Sequence, residues 1–118
     1  MIDTILLTKV AGEDRDFSAR IIQKIHNRAQ AFSENFRSEV KRGNWNSCYY
    51  QLLDFYKMIT PYAKLSYLNE VKGQIEAISY TDDVQIKRST CMKVLQRLAQ
   101  QIQHLQKTNQ RHSSQKAL

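Results

Sequence analysis

Three glycines and one proline are all that 118 residues contain of the usual chain-breakers. So few points of special backbone freedom argue against many short strands joined by tight turns. They also leave no glycine-rich loop to cradle a phosphate or a dinucleotide. Two cysteines, Cys48 and Cys91, are too few for a disulfide framework. Both fall on apolar faces of helical stretches and are expected as small buried hydrophobes. No stretch reaches the roughly eighteen apolar residues of a membrane span, and Met1 to Leu7 lack the basic start and apolar length of a secretory signal. The composition predicts a soluble, cytoplasmic protein that needs no cofactor.

Acidic residues are missing from one whole segment. From Val84 to Leu118 there is no Asp or Glu, whereas Lys87, Arg88, Lys93, Arg97, Lys107, Arg111 and Lys116 all stand there. Residues 1–83 carry eleven basic and eleven acidic side chains, so the formal charge of +7 belongs entirely to this last segment. A pI near 9.6 draws the protein towards anionic partners in general without selecting one.

The same segment has a period. Val84, Cys91, Leu95, Leu98, Ile102 and Leu105 recur at alternating steps of three and four, with Arg88 and Asn109 at the intervening seam positions. That is the heptad spacing of a long helix packing along one stripe. Asp82 with Gln85 is expected to cap its start. Lys93, Gln96, Arg97, Gln100, Gln103, His104, Lys107, Gln110 and Arg111 fall on the opposite face. An ordinary solvated face interleaves both charge signs, so this one is a candidate surface for a polyanion or an acidic protein.

Upstream, Glu13, Asp14 and Asp16 supply an acidic helix start, and Ile22, Ile25, Ala29, Phe32, Phe36 and Val40 continue as a second seam to about Arg42. Gly43 stands where a helix end wants positive φ. Arg20, Lys24 and Arg28 form a ladder at four-residue spacing, with no acid between Asp16 and Glu34. Like charges at that spacing disfavour an isolated helix, and contact with phosphates would account for them. Asn46 is the expected cap of the next helix, with Trp45 and Tyr50 as a hydrophobic staple across it. Cys48 to Ile59 are apolar over more than half the circumference, which predicts a central element. Thr60-Pro61 either kinks that helix or ends it, with Thr60 capping the restart. Leu65, Leu68, Val71, Ile75 and Ile78 then resume a stripe.

The predicted fold is all-α, an elongated antiparallel bundle of three long helices, the middle one kinked or split at Pro61 and four in number if split. One domain spans 1–118, with residues 1–12 as an N-terminal arm, either a short helix or an extended segment, and 108–118 as a frayed basic tail.

Sites for chemistry are scarce. His26, His104, His112, Cys48 and Cys91 are scattered, without any spacing that makes a tetrahedral metal set. Ser38 and Lys41 match a Ser-x-x-Lys string but lack its companion motifs. Arg20 with His26, and Arg97 with His104, loosely resemble the Arg-then-His spacing of some all-helical nucleases. The polar residue after the Arg is replaced by Ile21 and Leu98, so no active site carries over. Nucleic-acid binding through the basic face would be directed at the backbone, because the C-terminal helix has no aromatic residue on which a base could stack. The six tyrosines all lie between residues 49 and 80, at mostly core-like positions. The expectation is a non-enzymatic helical adaptor, assembly or regulatory factor docking to another macromolecule, a protein partner or a further copy of itself. The alternative is a nucleic-acid-binding accessory protein. The candidate contacts are Lys93, Arg97, His104, Lys107 and Arg111 on one helix and Arg20, Lys24 and Arg28 on another.

Overall fold

A computed structural model describes the backbone of residues 15–116 and the side chains of residues 16–108 apart from Ser18. The expected N-terminal arm over 1–12 lies outside the described residues. Four helices follow in order: α1 (Arg15–Arg42), α2 (Trp45–Ile59), α3 (Leu65–Tyr80) and α4 (Val84–Lys116). Among the described residues the fold is all-α, and no helix is long and apolar enough to cross a membrane. Neither the structure nor the sequence places a strand-rich element anywhere in this span.

Each link between helices has a local cause. Gly43 adopts φ +69 after α1, its N–H donating to the Val40 carbonyl at 3.1 Å while Asn44 N–H reaches Glu39 at 3.0 Å. These two bonds are the Schellman pair that satisfies carbonyls left over at a helix end. The next helix begins two residues earlier than a cap at Asn46 would place it. Asn44 is the capping residue, without a side-chain bond, and Trp45 is already helical. Tyr50 consequently points outward, 64% exposed, and no staple forms. Trp45 instead packs on the core with the Arg88 guanidinium 6.0 Å from its ring centre.

At Pro61 the break is complete. Thr60 closes α2 with its hydroxyl donating to the Tyr56 carbonyl at 2.7 Å, and Lys64, not Thr60, precedes α3. Before α4 the capping residue is Asp83, not Asp82. One Asp83 carboxylate oxygen accepts the Gln85 N–H at 2.9 Å and the Ile86 N–H at 3.4 Å, and Thr81 Oγ1 accepts the Asp83 N–H.

The chain reverses at every link. Residues at the start of α2 (Trp45, Tyr49, Tyr50) share a cleft with Ile78 and Ser79 at the end of α3, so α2 and α3 form an antiparallel hairpin. Arg97 of α4 reaches back to Glu70 of α3. The helices pack in a ring, α1 on α2, α2 on α3, α3 on α4 and α4 on α1, in a body of 54 × 24 × 17 Å. At roughly 1.5 Å per residue α1 and α4 are about 42 and 50 Å long, but α2 and α3 only about 23 Å. A short hairpin therefore covers part of a long helix pair, and the bundle has a step where the hairpin ends.

The two seams read from the sequence meet in the core. Ile22, Ile25, Ala29, Phe36 and Val40 of α1 are buried together with Cys91, Leu95, Leu98 and Leu105 of α4, and Ile102 is partly buried. Phe32 stacks on Phe36 at 5.1 Å and on Phe55 of α2 at 4.5 Å, centre to centre. Three seam assignments are corrected. Val84 is 51% exposed and Arg88 lies outside the core, because α4 begins to be covered only at Cys91. Leu65 is 72% exposed at the hairpin tip, and Tyr67 fills the α3 stripe in its place. Val94 and Gln101 add a third buried column to α4, because a helix in a ring must cover two neighbours instead of one.

Gln101 is the costly member of that column. It is 1% exposed, and neither its amide nitrogen nor its oxygen makes a hydrogen bond of good geometry, although the Tyr67 hydroxyl of α3 lies near enough to feel the amide. Removing an amide of this kind recovers its desolvation cost. Gln101→Leu is expected to raise the urea midpoint by the equivalent of about 1–2 kcal/mol; a lower midpoint would mean that the amide is satisfied in solution.

Candidate functional site

The two basic surfaces expected from the sequence occupy different places, and their surroundings differ. On α4, Lys93 and Lys107 are exposed, and His104 is half-buried with its carbonyl accepting the Thr108 hydroxyl at 2.9 Å. Arg111 lies in the last part of α4, its side chain outside the described residues. Arg97 is engaged: its Nε lies 3.4 Å from Glu70 Oε2, and Nη1 donates to Gln100 Oε1 at 3.3 Å. The acid missing from α4 is thus supplied across the interface by α3, which leaves Lys93 and Lys107 as the cations of that row without an ion pair among the described residues.

Arg20, Lys24 and Arg28 stand together on one wall of the largest described cavity, an open groove of about 740 Å³ between α1 and α2. The opposite wall brings Lys57 and Asp54. Between them the floor is apolar, formed by Phe17, Ile21, Ile25, Met58, Pro61 and Tyr62. The groove is the step in the bundle: α2 stops at Ile59 while α1 continues, so that among the described residues no helix runs the full length of the N-terminal half of α1 on that side. Phe17 is 44% exposed there. Arg20 Nε donates to the Asp16 carbonyl at 3.4 Å within its own helix. Among the described residues none of Arg20, Lys24, Arg28, Lys57 and Asp54 takes part in an ion pair. The ladder that the sequence singled out is therefore one side of a charged, apolar-floored trough with a net formal charge of +3. Asp54 also lines a smaller adjoining cavity of about 280 Å³ with Arg28, Phe32 and Asn35, so the trough continues along the α1–α2 interface.

No family model matches the chain, and no curated protein or solved structure is similar to it. Function must be read from the side chains themselves.

Groups suited to covalent or metal chemistry are not assembled. Among the described residues no three or more His, Cys, Asp or Glu side chains are grouped so that they could hold a metal ion. His26 is buried, with Nδ1 3.4 Å from Asn27 Oδ1 and Nε2 unpartnered inside the protein, whereas Arg20 faces the groove. Cys48 and Cys91 are free thiols, both fully buried, and they face each other across the bundle interior. Pairing with Cys48 and burial together hold the Cys91 thiol far above its ordinary range, while the hydrogen bond with Cys91 draws the Cys48 thiol below its own against the effect of burial; both sulfurs are closed off from solvent, where no substrate reaches them. Ser38 is half-buried and Lys41 exposed in the last turns of α1.

Four of the six tyrosines take the core-like positions expected of most of them: Tyr67 is buried, and Tyr49, Tyr56 and Tyr62 are partly buried against the core, while Tyr50 and Tyr80 are largely exposed. Tyr49 and Tyr50 meet edge-on at 5.1 Å and, with Trp45, bring aromatic faces to Lys87 of α4. Sequence reasoning missed this grouping because the aromatics and the lysine belong to different helices.

Proposed function

We propose that the protein is a non-enzymatic helical interaction protein that docks another macromolecule, an adaptor, assembly or regulatory factor, through the groove between α1 and α2. The observation that carries this reading is the coincidence of four unpaired cations, Arg20, Lys24, Arg28 and Lys57, with an apolar floor in one trough. Exposed cations next to solvent-accessible apolar surface are the composition of a binding surface that has not yet met its partner. Three like charges in successive turns lower the stability of α1 slightly, a cost that a partner's opposite charge would offset.

Nucleic acid is the second reading, favoured by the acid-free sequence of α4 and by the exposed Lys93 and Lys107. It is the weaker of the two. Arg97 is already neutralised by Glu70, and in the groove Asp54 would repel a phosphate chain.

The test uses the full chain and an Arg20→Glu/Lys24→Glu/Arg28→Glu variant as baits in extract from the source cells. All three positions are exposed, so the variant is expected to melt like the wild type, within about 0.5 kcal/mol per site. Partners captured by the wild type should fall at least about tenfold with the variant. Equal capture by both would remove the groove from consideration. Salt-sensitive binding of labelled duplex or single-stranded nucleic acid, lost instead with Lys93→Glu/Lys107→Glu, would favour the second reading.

A further inference from the structure

We infer that the occupant of the α1–α2 groove is an acidic amphipathic helix, lying along α1 with its apolar stripe on the groove floor. This rests on the docking reading above and names the chemistry of the partner.

Three features of the groove select a helix over other anionic ligands. The cations of the α1 wall recur every four residues, a rise of roughly 6 Å per step. A second helix laid beside α1 repeats its own rows of side chains at that same interval, so carboxylates at i, i+4 and i+8 can each meet one of Arg20, Lys24 and Arg28. The floor is continuous and apolar from Phe17 through Ile21 to Met58 and Tyr62. A nucleic-acid backbone or a polyphosphate has nothing to place on such a floor, whereas an amphipathic helix buries one face on it. The second wall then adds a mixed signal. Lys57 offers a cation to the far edge of the ligand, but Asp54, one turn away, offers a carboxylate. A uniformly anionic strand would be repelled at that point; a peptide carries N–H donors or a basic side chain that can meet it.

The architecture makes room for such a guest. Where α2 ends at Ile59 and the hairpin tip turns at Pro61, the α2–α3 hairpin stops, and among the described residues α1 no longer has the α2 neighbour that it has lower down the bundle. A docked helix would take the place of that missing length of α2. It would bury the exposed ring of Phe17 and complete the packing begun by Phe32 and Phe55 deeper in the same interface.

The test is fluorescence anisotropy with the full chain and a labelled synthetic peptide of about eighteen residues, Leu along one helical stripe and Glu on the flanking rows. A second peptide carries Gln in place of every Glu. The Glu peptide is expected to bind in the micromolar range, and the Gln peptide at least about tenfold more weakly. Lys24→Glu/Arg28→Glu should weaken the Glu peptide by about tenfold or more at low salt. Phe17→Ser should weaken both peptides at all salt concentrations, which a purely electrostatic contact would not show. Lys93→Glu/Lys107→Glu, on the other basic face, should change neither.

Equal affinity for the two peptides, or binding insensitive to the groove substitutions, would overturn the inference. So would a single-stranded RNA oligonucleotide that binds the same groove more tightly than the Glu peptide and is lost with Lys24→Glu/Arg28→Glu, although docking at the groove would then stand. If the peptides fail while capture from extract still depends on Arg20, Lys24 and Arg28, the helix is wrong and the docking surface is right. Failure of both experiments would overturn the two together.

Discussion

Leu98→Asp is expected to leave the protein without a cooperative thermal transition. Leu98 is fully buried in the middle of α4, within the core that this helix shares with Ile22, Ile25 and Ala29 of α1 and Val71 and Ile75 of α3. A carboxylate there must either stay ionised in an apolar interior or take up a proton at neutral pH, and both are unfavourable. The lost burial of the leucine adds to this, so the total is of the order of 4–5 kcal/mol or more. Set against a typical folding stability of roughly 5–15 kcal/mol, that removes most or all of it. Leu98→Ala provides the scale, because it removes the packing without adding the charge and should cost about 2–5 kcal/mol. Circular dichroism with thermal melting reads both. A Leu98→Asp chain that melts like the wild type would mean that this face of α4 is not the packed one, and the seam would have to be placed elsewhere on the helix.

That seam was among the most legible parts of the sequence, together with the one in α1, because periodic burial over several turns leaves a signal that single residues do not. Cys91, Leu95, Leu98 and Leu105, like Ile22, Ile25, Ala29, Phe36 and Val40, are buried as their spacing predicts. Gly43 ends α1 with the positive φ expected of it. What escaped was decided by neighbours distant in sequence. Thr60-Pro61 stops a helix equally well before a kink or a reversal, and only packing of α3 back onto α2 chooses the reversal. Leu65 is apolar at a helical spacing, but it falls on the hairpin tip where no helix covers it. Nothing local marks Gln101 for burial, yet α4 must bury a third column to serve both α1 and α3. The caps were misplaced by one or two residues, Asp83 for Asp82 and Asn44 for Asn46, since adjacent polar residues offer nearly the same chemistry.

The candidate site divides along the same line. The ladder of Arg20, Lys24 and Arg28 is a local pattern and was visible. Lys57 and Asp54, which turn the ladder into a groove, lie about thirty residues further on and join it only because α2 packs antiparallel to α1. The acid-free stretch of α4 misled in the opposite direction. Charge counted along a sequence treats Arg97 as free, whereas Glu70, twenty-seven residues earlier, sits against it in the fold. A basic segment becomes a basic surface only where the neighbouring helix brings no acid.

Alkaline pH should expose how dry the α3–α4 interface is. Tyr67 is 3% exposed, and burial pushes its hydroxyl up from the usual value near 10 to about 12; Glu70 acts in the same direction, while Gln101 and Arg97 draw it partly back. The folded chain therefore holds the phenolic proton more tightly than the unfolded chain does. The stability linked to that proton is fully present below pH 10, declines as pH rises from 10 to 12, and is gone above it. A difference of about two pH units corresponds to roughly 3 kcal/mol. Lysines also lose their charge over this range, so the wild type alone cannot report on one tyrosine. Tyr67→Phe supplies the reference, because it keeps the ring and every lysine and removes only the titrating hydroxyl. Urea midpoints of the two proteins should stay a constant distance apart up to about pH 10, after which the wild type should lose about 3 kcal/mol relative to the variant. Tyrosinate absorbance of the wild type should contain a late-titrating component that is lost in Tyr67→Phe. A flat difference between the two midpoints would place the Tyr67 hydroxyl in water, and with it the end of α3 that carries Glu70 to Arg97.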